Sequence, residues 1–162
     1  MMNPNPEAIV VRDILKAVPF FRDLTPEELD RVISLGRMVT YPKDMVLFKE
    51  GDPGEALYVV VDGSVRIGKS VSATGDHAMA FMERGSCFGE MALVDEFPRS
   101  ATAVACQESR ILFIEKHIFV NLLEKDPVVA RKILWEFCRS LSLRLREASD
   151  RIVALSSFTR PF

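Results

Sequence analysis

The sequence carries no excess of positive charge. It has 21 lysine and arginine residues against 23 aspartates and glutamates, a formal net charge of −2. Whole-chain electrostatics therefore argue against a dedicated nucleic-acid binder, while leaving room for a small anion in one local pocket. Cysteine is scarce. Cys87, Cys106 and Cys138 are odd in number, far apart and free of any C-x-x-C pair, which argues against a secreted disulfide framework and a zinc site. They read as small buried hydrophobes. His77 and His117 have no partners at metal-ligand spacing, so both read as surface residues and no metal is expected. The longest purely apolar runs, such as Leu57–Val61, are far too short to span a bilayer, and the opening MMNPNPEAIVV lacks the basic and apolar regions of a signal peptide. A soluble, cytoplasmic chain without membrane contact is the expectation. No phosphate-binding G-x-x-x-x-G-K-[ST] pattern and no nucleophile–base constellation is present, so no catalytic residue is assigned and an enzyme is the class least expected.

What the chain does have is enough apolar residues, 48% of 162, to fill the core of one domain with an appended element. Glu7 to Ala17 predicts a short helix. Thr25-Pro26-Glu27-Glu28 predicts a second, with a hydroxyl cap, proline at the first helical position and glutamate at the third. From Arg37 the period changes to strand-length runs between glycine turns: Met38–Tyr41, Val46–Lys49, Leu57–Val61, Val65–Ile67, His77–Met82, Thr102–Cys106 and Ile111–Ile114. Such a series suggests a sandwich or a jelly-roll barrel. Asp62-Gly63 reads as a type I′ hairpin turn, and Gly51-Asp52-Pro53-Gly54 as another turn. The helical period then returns at His117–Glu124. Asp126-Pro127 opens a long helix whose Leu134, Cys138, Leu141, Leu145, Ala148, Ile152 and Leu155 keep an unbroken a/d register. The boundaries expected are a helical segment 1–35, a β-domain 36–115, C-terminal helices 116–155 and a tail 156–162 in which the helix has stopped.

Residues 88–104 carry the chemistry. Gly89 lets the backbone approach a ligand closely, and Glu90 to Val94 can form one helical turn with its free N–H groups facing an anion. Arg99, at the far end, offers a fork of donors suited to phosphate, and Glu90 an acceptor for a sugar hydroxyl. Together they match a phosphorylated ribose. Taken alone, Arg99 could equally be a surface residue paired with Asp95 or Glu96.

This segment closely resembles the phosphate-binding cassette of cyclic-nucleotide-binding domains, as found in catabolite-activator-type regulators, regulatory subunits of cyclic-AMP-dependent kinase and gated channels. The family pattern F-G-E-[LIM]-[AG]-L, a spacer, then P-R-[SAT]-A stands here as FGEMAL, VDEF, PRSA. The run Leu47–Tyr58 with Gly63-Ser64-Val65, and the opening Pro19–Leu24 with Glu28-Leu29, resemble the family's upstream motifs. The resemblance implies an α+β, mainly β fold: an eight-stranded jelly-roll barrel with N-terminal helices, a short phosphate-binding helix and a long C-terminal helix. It implies that Arg99 pairs with the exocyclic phosphate oxygens and that Glu90 accepts from the ribose 2′-hydroxyl. Gly89, Met91, Ala92 and Ala101 would present backbone groups and Ser100 a hydroxyl. Met79 and Phe81 become candidates for contact with the base, with Arg146, Ala148 or Ser149 on the lid helix near its edge.

The function implied is a cyclic-nucleotide sensor, with cyclic AMP favoured over cyclic GMP, that couples binding to movement of the C-terminal helix and needs no cofactor. The a/d stripe suggests a homodimer through that helix, or a docking face on the barrel, and an unidentified protein partner fits the same role. Two alternatives stand beside it: the sensor half of a transcription regulator, and a degenerate dimerisation or scaffold domain. Ser156–Phe162 is too short for a helix-turn-helix, so direct DNA binding is not expected of this chain.

Overall fold

The computed structural model describes residues 6–71 and 75–158, with side chains described over 9–69, 80–91 and 93–154. Two helices lead, α1 (Pro6–Ala17) and α2 (Pro26–Leu35), joined through a 3-10 turn, Pro19–Phe21. The capping box at α2 forms as its sequence predicts. The Glu28 N–H donates to Thr25 Oγ1 at 3.3 Å, and the Thr25 N–H donates to Glu28 Oε2 at 2.8 Å. Eight strands follow: β1 (Arg37–Tyr41), β2 (Val46–Phe48), β3 (Ala56–Asp62), β4 (Ser64–Val71), β5 (Gly75–Glu83), β6 (Cys87–Phe88), β7 (Thr102–Ala105) and β8 (Ser109–Glu115). α3 (Lys116–Lys125) and α4 (Pro127–Phe158) close the chain. Asp126 caps α4 as expected, its Oδ1 accepting from the N–H groups of Val128 and Val129 at 3.1 and 3.0 Å. The helix does not stop before Ser156 but runs on through Phe158.

The strands form two antiparallel sheets, in the orders β1-β8-β3-β6 and β2-β7-β4-β5. β3 is buried on both faces, which is why its sequence is a continuous apolar run rather than an alternation. Leu57, Val59 and Val61 face the helices together with Leu112 and Ile114 of β8. Ala56, Tyr58 and Val60 face the second sheet, where they meet Val65 and Ala103.

The hairpin expected at Asp62-Gly63 is not formed, because β3 and β4 belong to different sheets. A type I′ turn needs positive φ at both residues, and here only Gly63 has it, at 88°. The turn is a corner. A Cβ on Gly63 would fall 2.3 Å from Ser109 Oγ. That hydroxyl accepts from the Ser64 N–H at 3.1 Å and lies 2.9 Å from the Gln107 carbonyl oxygen, to which it donates.

The face of α4 that docks is not the a/d stripe. Val129, Ile133 and Phe137 enter the core, with Phe137 5.6 Å from the Phe20 ring. Leu134, Cys138, Leu141, Leu145, Ala148 and Ile152 are exposed, so Cys138 is not the buried thiol its composition suggested. Leu155 lies outside the described side chains. Between the docking residues Glu136 is fully buried, its carboxylate 2.7 Å from Arg22 and 2.9 Å from Arg139.

Candidate functional site

Gly89 and Arg99 define the site. Gly89 precedes the 3-10 turn Glu90–Leu93 and sits in the left-handed region at φ 79°. A Cβ there would lie 2.7 Å from Arg99 Nη1 and 3.0 Å from the Ala56 carbonyl oxygen, so glycine is required twice over, for its backbone and for its missing side chain. Arg99 is 6% exposed. Its Nη2 donates to the Ala56 carbonyl at 2.7 Å and its Nη1 to the Gly89 carbonyl at 3.2 Å, while Nε is buried without a hydrogen-bond partner. Burial pushes the guanidinium's pKa down, against the opposing pull of Tyr58 and of the Glu90 and Asp52 carboxylates. The surface pairing with Asp95 or Glu96 is absent; among the described residues no carboxylate forms an ion pair with Arg99. Its backbone is fixed by the Gly51–Gly54 turn. The Gly51 N–H donates to the Arg99 carbonyl at 2.9 Å, and the Arg99 N–H donates to the Asp52 carbonyl at 2.8 Å. That turn, read from sequence as a simple reversal, is the platform for the cassette arginine.

Glu90 is 5% exposed, and its Oε1 accepts from Arg144 of α4 in a close ion pair. Cys87, beside them and half-buried, has a thiol whose pKa is pushed well up, first by burial and then by the Glu90 charge. It is therefore a poor nucleophile.

A cavity of about 490 Å³ opens over these groups, lined by Gly89, Glu90, Met91, Arg99, Ser100 and Ala101 on the cassette side. Ile67, Ala80 and Met82 form the sheet side, and Arg144 the helix side. Ala92 lies in the same turn, its side chain outside the described ones. Phe81 does not line the cavity. It is 64% exposed, because alternation along β5 gives the inner face to Ala80 and Met82. Met79 stands at the register shift between β4 and β5, where Ile67 faces Ala80 and Gly68 faces Ala78; its side chain is outside the described ones. Arg146, Ala148 and Ser149 are exposed and do not line the cavity; the Ser149 hydroxyl donates to the Leu145 carbonyl at 2.9 Å. Ala148 is one turn, about 6 Å, beyond Arg144. The α4 residue that lines the cavity is Arg144, two positions before the first lid residue the sequence suggested. Sequence reasoning also missed Phe48 and the cavity-facing residues of β4 and β5.

Comparison with known proteins bears on this geometry. The profile described as "Cyclic nucleotide-binding domain" matches residues 38–126, more than half the chain. The chain belongs to the cyclic nucleotide-binding domain family. It is 35% identical over 142 residues to the "Cyclic AMP receptor protein" of Thermus thermophilus, a match covering 88% of this chain and 64% of that protein. The chain thus spans less than two thirds of that relative's length. Among solved structures it is similar to a cyclic nucleotide-binding domain from Methylobacillus flagellatus, with a TM-score of 0.77 and 29% identity over 91% of this chain and 83% of that one. It is also similar to the N-terminal domain of a transcriptional regulator from Streptomyces coelicolor, with a TM-score of 0.75 and 31% identity over 86% and 95% of the two chains. The fold these share with it is α+β: eight strands in two antiparallel sheets, N-terminal helices and a long C-terminal helix. Domains of this family are regulatory and typically non-catalytic. Among the described residues no helix is long and apolar enough to cross a membrane, and no cluster could hold a metal ion.

Proposed function

We propose that this chain is a cyclic-nucleotide sensor, with cyclic AMP its preferred ligand, in which binding is coupled to movement of α4. The observation that carries the proposal is Arg99: a buried cation with one unpaired donor, in the wall of a cavity large enough for a nucleotide, packed against a glycine whose missing Cβ makes room for the guanidinium. In this reading the two sheets are the walls of a jelly-roll barrel. The exocyclic phosphate lies on Arg99 and the backbone N–H groups of the cassette turn, with Ser100 adding a hydroxyl. The ribose 2′-hydroxyl donates to Glu90. The base lies along Ile67, Ala80 and Met82, an apolar wall that favours stacking over edge recognition. The printed name of the Thermus relative supports cyclic AMP.

Coupling follows from Glu90. Its carboxylate already accepts from Arg144, so a ribose hydroxyl arriving there changes the partner of an α4 residue. The ligand shifts α4 by as much as its affinity differs between the two arrangements. The exposed a/d stripe supports a homodimer through α4.

Calorimetry with cyclic AMP and cyclic GMP tests the reading. Arg99→Glu removes a charge-assisted contact worth about 2–5 kcal/mol and adds repulsion, a loss of about thirtyfold to several thousandfold. Unchanged affinity in that variant defeats the assignment, and a clear preference for cyclic GMP overturns the choice of base. A second reading, the sensor half of a transcription regulator, is supported by the match to the Streptomyces domain. The length of the natural open reading frame distinguishes the two.

A further inference from the structure

Arg99 raises a problem of physical chemistry. A guanidinium with five N–H donors is buried, yet the groups that hold it are carbonyls and rings, not a carboxylate. Its central carbon lies 4.3 Å from the centroid of the Phe48 ring and 5.5 Å from that of Tyr58. Those rings are themselves fixed. Tyr58 stacks on Phe88 at 5.1 Å with planes 4° apart, and Phe48 sits 5.4 Å from Tyr58 and 6.1 Å from Phe88. Phe48 is placed by an irregularity in β2: Val46 faces Val104 but Phe48 faces Ala103, so β2 advances two residues where β7 advances one. A bulge of this kind re-aims a side chain beside a site.

A ring face and a carboxylate stabilise a buried cation differently. A carboxylate neutralises it and occupies its in-plane donors. The negative face of an aromatic ring meets the cation from above and leaves the plane open.

We propose that Phe48, backed by Tyr58, is a positioning residue for anion binding: its ring face retains Arg99 in the cassette as a full positive charge while keeping in-plane donors for the phosphate. The proposal rests on the cyclic-nucleotide reading above. It deepens that reading by assigning part of the phosphate affinity to a residue that bears no charge and lies outside the cassette.

The test is calorimetry with cyclic AMP on the full chain, with melting temperature as the control for folding. Phe48→Leu raises Kd about three- to thirtyfold, and Phe48→Tyr, which keeps the ring, stays within about twofold. Because Phe48→Leu also removes packing, the deciding series replaces Phe48 site-specifically with phenylalanines of increasing fluorine substitution, which hold the ring's shape and drain its negative face. Kd climbs with each added fluorine while melting temperature holds. A flat series, or a Phe48→Leu chain that binds like the parent, overturns the proposal while the sensor reading stands. A parent chain that binds neither cyclic AMP nor cyclic GMP overturns both.

Discussion

The two halves of α4 are held in different ways. From Pro127 to Arg139 the helix is part of the body: Val129, Ile133 and Phe137 are in the core, Lys132 Nζ lies 2.6 Å from Glu28 Oε2, and buried Glu136 meets Arg22 at 2.7 Å. From Ser140 onward Leu141, Leu143 and Leu145 are exposed, and Arg144 ties the helix to the cassette through Glu90. The first half can move only with the helices it packs on. The second is tied to the rest of the molecule through the Glu90 carboxylate. A single helix thus combines a buried anchor and an exposed arm, and the change of character falls next to the site.

Breaking the anchor has the largest expected effect. Phe137→Ala empties a core position against Phe20 and lowers folding stability by about 3–5 kcal/mol in urea unfolding. A loss below about 1 kcal/mol would show that the first half is not core. Acid probes the same half through Glu28. Burial alone would raise its carboxyl pKa, but the Lys132 ammonium and the Thr25 N–H outweigh that and hold it below the ordinary range. A carboxyl depressed in the folded state contributes stability above its unfolded pKa, about 4.3, and loses it as pH falls through the folded value. Lys132→Met therefore lowers stability at pH 7, and the gap to the parent narrows below about pH 4. Curves that stay parallel into acid would contradict the tie. On the arm, Arg144→Ala strips its ion-pair partner from the buried Glu90 carboxylate and costs about 1–3 kcal/mol. Amide exchange quickens over Ser140–Arg151 and is unchanged over Val129–Phe137; an equal change in both would erase the distinction. Leu145→Ala, at a position 70% exposed, leaves monomer stability within about 0.5 kcal/mol. Sedimentation across a range of concentrations then reads whether the stripe holds two copies together, since a dimer seated on it would dissociate more readily in this variant.

The legible parts were those fixed by local chemistry. Thr25-Pro26 and Asp126-Pro127 announce helix starts because capping needs only neighbours in sequence. The cassette was legible because glycine, carboxylate and arginine are brought together over eleven residues, Gly89 to Arg99. The hairpin at Asp62-Gly63 failed because a glycine turn also serves a corner, and Ser109, far along the chain, decides which. Phe81 lies on the outer face because alternation along β5 turns Ala80 and Met82 inward, a parity that only their pairing with Ile67 and Val65 of β4 reveals. Glu136 hid the docking face of α4: a charged residue inside an apolar stripe breaks the pattern, and its arginine partner Arg22 is supplied by another element. The aromatic support beneath Arg99 was invisible for the same reason, since Phe48 and Arg99 meet only in three dimensions.

Ser109, which fixes the corner at Gly63, also begins the strand that sits between β1 and β3. Translation delivers that strand after the whole cassette has been made. A nascent chain that has emerged as far as Arg99 still has β1 and β3 unjoined, so the carbonyl of Ala56 that grips the guanidinium hangs on an unfinished wall. The first sheet therefore closes only when β8 is in place, and until then the groups that hold Arg99 have an incomplete wall behind them.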